Sequence, residues 1–189
     1  MSTLFFTRNK EMKIKTAILF SIATLAYGYG WADTGGAPPL QVSKTLSINA
    51  SVDRVWSTVR DFNALNSWHP AVEKDEIVEG KNNTVGAVRL LTLKGGGTIK
   101  EKLLAYDPAG HSFAYSIVEG VIPVSSYKSN FSVKSTGDNQ SSVTWSGHFK
   151  RKNVGDNPAD NENDKAAKDA ITGVYQSGLD NLKKMLEAK

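Results

Sequence analysis

The chain has 189 residues, with 23 lysines and arginines against 19 aspartates and glutamates, three histidines and no cysteine. The missing cysteine excludes a thiol nucleophile, a thiolate metal site, a disulfide and haem attachment through C-x-x-C-H, so the fold must rest on its hydrophobic core. The formal charge of +4 belongs largely to the N-terminus: residues 1–32 hold four basic residues and one acidic one, and without them about +1 remains, which argues against nucleic acid as a partner.

From Met12 the chain reads MKIKTAILFSIATLAYGYGWA. Lys13 and Lys15 form a positive n-region, 17–26 is an apolar run, and Gly30-Trp31-Ala32 places small residues where a signal peptidase cuts. The run is shorter than the roughly 20 apolar residues of a spanning helix, so the pattern predicts a secretory signal cleaved after Ala32 and a periplasmic protein without stable membrane insertion. Met12 is the expected initiator, because residues 2–11 precede a signal that is already complete. The mature chain, 33–189, has the size of one domain.

Residues 33–40, rich in glycine and proline, read as a flexible lead-in. Alternation of Val42, Leu46 and Ile48 predicts a strand over 41–50. Ser51 is a plausible N-cap with Asp53 in the first turn, and Val55, Trp56 and Val59 give a short helix its apolar stripe. A second short helical or turn segment, 61–68, ends at Trp68-His69-Pro70, where the proline pushes His69 toward an extended backbone. Six strands follow at 72–79, 84–93, 98–106, 112–119, 124–135 and 140–150, separated by turn residues. After the polar loop 155–164, a long helix over 165–187 carries Ile171, Val174, Tyr175, Gly178, Leu179, Leu182, Met185 and Leu186 on one face. Strands with a long terminal helix on one face make an α+β layer arrangement, and a sheet curled around that helix encloses a cavity.

The glycines 95–97 set a hairpin. With those three as the loop, Leu91 opposes Glu101, Arg89 opposes Leu103, and Arg89 and Glu101 lie diagonally on an apolar face. Two charges on such a face need partners. They are either an ion pair closing the rim or a polar anchor for a ligand in an apolar pocket. Tyr115, Tyr127 and Trp145 share the inward face and are either pocket wall or core. With Trp68, His69, Leu91, Leu103 and Tyr175 they complete the candidate cavity set. His69 reads as a cap or pocket residue ahead of an acid/base. The loop 155–164 beside Lys150-Arg151-Lys152 is a docking site or simply a solvated loop.

No H-E-x-x-H, G-x-S-x-G or G-K-[ST] motif is present, so no metal, cofactor or catalytic residue is expected. The segments INASVDRVWSTVRDFNALNSWHP, VGAVRLLTLKGGGTIKEKLLAYDP, FAYSIVEGVIPVSSYKSNFSV and VTWSGHF resemble the SRPBCC (START/Bet v 1-like, polyketide cyclase/dehydrase) superfamily over roughly 41–183. That resemblance implies a helix-grip fold. The combination of WHP, VGAVRLLTLKGGGTI and YSIVEGVIPVSSY with a signal peptide is closest to the MxaD-like periplasmic accessory proteins of methanol oxidation. It implies a non-catalytic helper of methanol dehydrogenase, acting in its maturation or its interaction with its cytochrome c acceptor. A carrier or sensor of a small hydrophobic ligand, and a cyclase-type enzyme using His69 or Glu101, are the alternatives.

Overall fold

The computed structural model describes residues 38–188, so the expected signal peptide and its cleavage site lie outside the described residues. Strand β1, Leu40–Ile48, alternates buried and exposed side chains. It leads into helix α1, Val52–Val59, where Ser51 caps the helix by accepting from the Arg54 amide, and Val55, Trp56 and Val59 are buried. A single 3-10 turn, Leu65–Ser67, precedes six strands. These are β2 (Val72–Glu79), β3 (Val88–Leu93), β4 (Thr98–Asp107), β5 (Ser112–Gly120), β6 (Val124–Gly137) and β7 (Gln140–Arg151). Helix α2, Asp164–Glu187, closes the chain, with Asn163 accepting from the Ala166 amide as its N-cap.

The seven strands form one antiparallel sheet in the order β1-β7-β6-β5-β4-β3-β2. Helix α2 buries Ile171, Tyr175, Gly178, Leu179, Leu182 and Leu186, and one cluster joins them to the sheet's inward residues and to α1. This is the helix-grip arrangement that the resemblance implies. Met185 stands 42% exposed, a departure from the expected helix face. The buried stripe runs 171, 175, 178/179, 182 and 186, and residue 185 falls to its flank.

Three local features alter the expected pattern. Strand β3 begins at Val88, because Asn83 and Gly86 take left-handed φ angles of 58° and 95°, and Gly86 and Ala87 both bond Leu103 outside the regular ladder. The hairpin register differs by two residues from the expected one: Leu91 pairs with Ile99, and Arg89 directly opposes Glu101. A shift of two keeps every side chain on its face, so both charges still point inward. Gly97 has φ 83° and a Cβ there would lie 2.6 Å from Val121, so the turn requires glycine on both counts.

The third feature is an opening in the sheet. Strands β5 and β6 pair only from Ser112–Ser132 to Ser116–Lys128. Beyond that point the end of β5 stays with β4, while the start of β6 stays with β7 and is kinked by Ser126 at φ 50°. The two strands diverge around residues 120–123.

Candidate functional site

Between the sheet and α2 lies a cavity of about 130 Å³. His69, Leu91, Glu101, Tyr115, Tyr127 and Trp145 are all on its wall, and Leu93, Ile99, Ile117, Ile122 and Val174 supply much of the rest. Four other residues of the sequence-derived set stand behind the wall. Leu103 is fully buried beneath it. Trp68 packs against Phe131 and Trp145, with ring centroids 5.7 Å apart in both cases. Arg89 and Tyr175 act through the residues they bond.

Arg89 reaches Glu101 Oε2 with Nε at 2.8 Å and Nη2 at 2.7 Å. Its Nη1 donates to the Phe62 carbonyl at 2.7 Å and to Asp75 Oδ2 at 3.3 Å. The guanidinium carbon lies 4.1 Å from the Phe62 ring centroid and 5.6 Å from that of Tyr115. All three charged side chains are at least 94% buried. Burial pushes the carboxyls of Asp75 and Glu101 up from their ordinary range, against the opposing pull of Arg89.

Asp75 is the member that sequence alternation misses. Counting in twos from Val72 places residue 75 outward. An irregularity between Val72 and Lys74 turns the strand, so that Asp75 and Ile77 face inward. Asp75 Oδ2 also accepts from the Leu65 amide at 2.9 Å, tying the 3-10 turn to the cluster. No sequence signal marks it, because Arg89 and Glu101 already balance each other's charge.

His69 is engaged at both ring nitrogens. Nδ1 accepts from the Ala71 amide at 3.2 Å, which leaves the proton on Nε2 to donate to the Val174 carbonyl of α2 at 3.0 Å. Burial holds its pKa below the usual value, with the Arg89 charge acting the same way. The imidazole is a neutral clamp between the turn and α2. Asn181 makes a second clamp by donating to the Trp68 carbonyl at 2.8 Å.

A chain of hydroxyls lies behind the cavity. Ser129 donates to the Ser146 carbonyl at 2.9 Å, so it accepts from Tyr175 at 3.0 Å and from Trp145 Nε1 at 3.1 Å. Tyr175 in turn accepts from Tyr127 at 2.6 Å. Tyr115 ends the chain, 3.4 Å from Tyr127 and accepting from Trp145 Nε1 at 3.0 Å. Burial raises all three phenols, Tyr175 to about 12 and Tyr115 and Tyr127 well above the usual value, so each stays protonated at neutral pH. Phe62, Asp75 and Ser129 are the site residues that sequence reasoning did not single out.

The outer face carries a second depression, about 510 Å³, at the divergence of β5 and β6. Ile117 and Tyr127 line both this cleft and the inner cavity. The basic triplet at the end of β7 is partly self-neutralised: Arg151 donates to Asp164 at 2.7 Å and to the Asn153 and Gly155 carbonyls.

The family model described as polyketide cyclase / dehydrase and lipid transport matches residues 39–187. The chain belongs to that family. Among solved structures, an uncharacterized protein from Bacillus thuringiensis is 30% identical, with a TM-score of 0.69, over 79% of this chain and 100% of its own. The protein XoxI from Bacillus cereus is 31% identical, with a TM-score of 0.68, over 77% of this chain and 94% of its own. The Zhui aromatase/cyclase from a Streptomyces species, at 20% identity, TM-score 0.63 and 79% and 94% coverage, shares the fold. In this polyketide cyclase-like chain the interior carries one carboxylate at the cavity wall and a hydroxyl chain behind it. Among the described residues no cluster of histidines and carboxylates could hold a metal ion, and no helix is long and apolar enough to cross a membrane.

Proposed function

We propose that this chain is an exported binding protein that holds a small, largely apolar ligand in its helix-grip cavity without transforming it. The observation that carries this reading is a largely apolar space whose imidazole and phenols are already committed to other partners. An acid/base needs a group free to exchange protons with substrate. His69 spends both nitrogens on the backbone, Arg89 pairs with Glu101 at Oε2, and the phenols are raised too far to act as bases near neutral pH. An apolar cavity of about this size accommodates a single benzene-sized ring, which suits a small ligand and not a polycyclic substrate. The cleft between β5 and β6, separated from the cavity by Ile117 and Tyr127, supplies the route inward.

A titration with benzene, followed through the Trp145 Nε1 resonance and the melting temperature, tests the reading. Saturable binding that is lost in Val174→Phe, which fills the space, is the expected result. An unperturbed indole at saturating benzene refutes it.

A second reading concerns the partner. The segment YSIVEGVIPVSSY, which carries part of the MxaD-like resemblance, forms the divergence of β5 and β6 and exposes Val118 at 59% and Val121 at 56%. Exposed aliphatic side chains beside Lys152 suit a protein contact. In this reading the chain is a periplasmic helper of methanol dehydrogenase or its cytochrome c, and the leader at 12–32 delivers it there. Recovery of dehydrogenase subunits with the tagged protein from a periplasmic extract, lost in Val121→Asp, is the expected outcome. Confinement of the protein to the cytoplasmic fraction would contradict it.

A further inference from the structure

Glu101 gives the cavity a chemistry that apolar walls alone would not. The residue is 4% exposed and forms part of the wall. Both Arg89 donors that reach it converge on Oε2, and Oε1 accepts no hydrogen bond among the described residues. Oε1 is therefore open to a donor arriving from the cavity, whereas the fully buried orphan of the cluster is Asp75 Oδ1. The third Arg89 donor, Nη1, turns away to Phe62 and Asp75.

Charge balance points the same way. One guanidinium faces two carboxylates, Asp75 and Glu101, so the ionised cluster is one positive charge short. No lysine, arginine or other carboxylate lies on the cavity wall. Of the two acids only Glu101 reaches the cavity, and Asp75 stands on the far side of Arg89.

The hydroxyls cannot reverse this polarity. The proton order that starts at the Ser146 carbonyl uses the Ser129, Tyr175 and Tyr127 protons within the chain itself. Tyr115 alone has a weakly used proton, at 3.4 Å from its neighbour. An anionic ligand would meet Glu101 with no cation to receive it. A ligand that brings a charged donor completes the cluster instead, because hydrogen bonds between ionised partners are roughly twice as strong as neutral ones.

We propose that the cavity selects a compact apolar amine, bound as the ammonium ion with its N–H donating to Glu101 Oε1. This rests on the reading that the cavity is a ligand site. It is tested with three ligands of one shape, cyclopentylamine, cyclopentanol and cyclopentanone, titrated into the purified full chain at pH 7 by calorimetry and by the Trp145 Nε1 resonance. The amine binds at least about tenfold tighter than the ketone, with the alcohol between them. Glu101→Gln removes the amine's advantage and leaves ketone affinity unchanged. A ketone that binds as tightly as the amine in the native protein overturns the inference, whether or not the variant folds. So does an amine preference that survives in Glu101→Gln. Benzene binding without any amine preference sinks this inference alone, whereas failure of benzene and all three ligands also removes the ligand-site reading beneath it.

Discussion

Replacing Arg89 with methionine keeps the volume of the stem and deletes the charge. The variant removes two hydrogen bonds to Glu101, one to the Phe62 carbonyl and one to Asp75. Two buried carboxylates are then left without a cation, a change that costs about 3–5 kcal/mol in comparable sites. An upper bound follows from titration. A carboxyl with an ordinary pKa near 4 can always escape by binding a proton, which at pH 7 costs about 1.4 kcal/mol per unit, or roughly 4 kcal/mol for each of the two. At pH 4.5 the same escape costs under about 1 kcal/mol. The destabilisation should therefore shrink by about 3 kcal/mol, between pH 7 and pH 4.5, for each carboxyl that has to be neutralised. Urea unfolding followed by tryptophan fluorescence at the two pH values measures both quantities. The triple variant Asp75→Leu, Arg89→Met, Glu101→Leu, which removes the whole cluster, should recover to within about 1.5 kcal/mol of the parent or exceed it. A cost for Arg89→Met below about 1 kcal/mol at pH 7, or one that does not change with pH, would refute the reasoning.

The parent protein has its own pH signature. Burial raises the folded pKa values of Asp75 and Glu101 above their ordinary 3.8 and 4.5. The native state then binds more protons than the unfolded one in the window above those ordinary values. The stability these groups allow is fully present below pH 4 and is lost as pH rises through the raised values; a rise in stability over that window in Asp75→Asn, Glu101→Gln relative to the parent would agree, and an identical profile would not. Gly178→Ala places a methyl 2.6 Å from His69 Cδ2 and 2.9 Å from Trp145 in the native geometry. It should destabilise by about 1–3 kcal/mol in spite of the better helix propensity of alanine, and a melting temperature at or above the parent's would show that α2 shifts freely. Tyr127→Phe deletes the donor to Tyr175 and should cost about 1–2 kcal/mol by chemical denaturation, leaving the Tyr175 to Ser129 bond intact. Ser141→Ala strips a fully buried hydroxyl from the Ala50 carbonyl, 2.7 Å away, and should cost a similar amount while the cavity still binds its ligand.

Local pattern was enough to set the order of the elements. Alternation in twos marks strands such as Phe113, Tyr115, Ile117 and Val143, Trp145, Phe149, and spacing near 3.6 marks α2 from Ile171 to Leu186. The Ser51 cap and the turn glycines at 95–97 are equally local, since each depends on the backbone of a few residues. The same periodicity turned Arg89 and Glu101 inward, and this survived a register error because faces repeat every two residues.

Tertiary structure decided what those charges do. Asp75 joined the cluster only because the irregularity after Val72 reverses the strand's face, a feature that no propensity at Glu73 or Lys74 announces. Pairing between strands, not pattern within one, converted the expected diagonal between Arg89 and Glu101 into a direct opposition. The commitment of His69 Nε2 depends on Val174, 105 residues away. Sequence by itself determined which side chains enter the interior of this polyketide cyclase-like fold, because a side chain's face is a property of its own strand or helix. Which of them meet, and which oxygen is left facing the cavity, depends on distances across separate elements, and those exist only once the sheet has closed on α2.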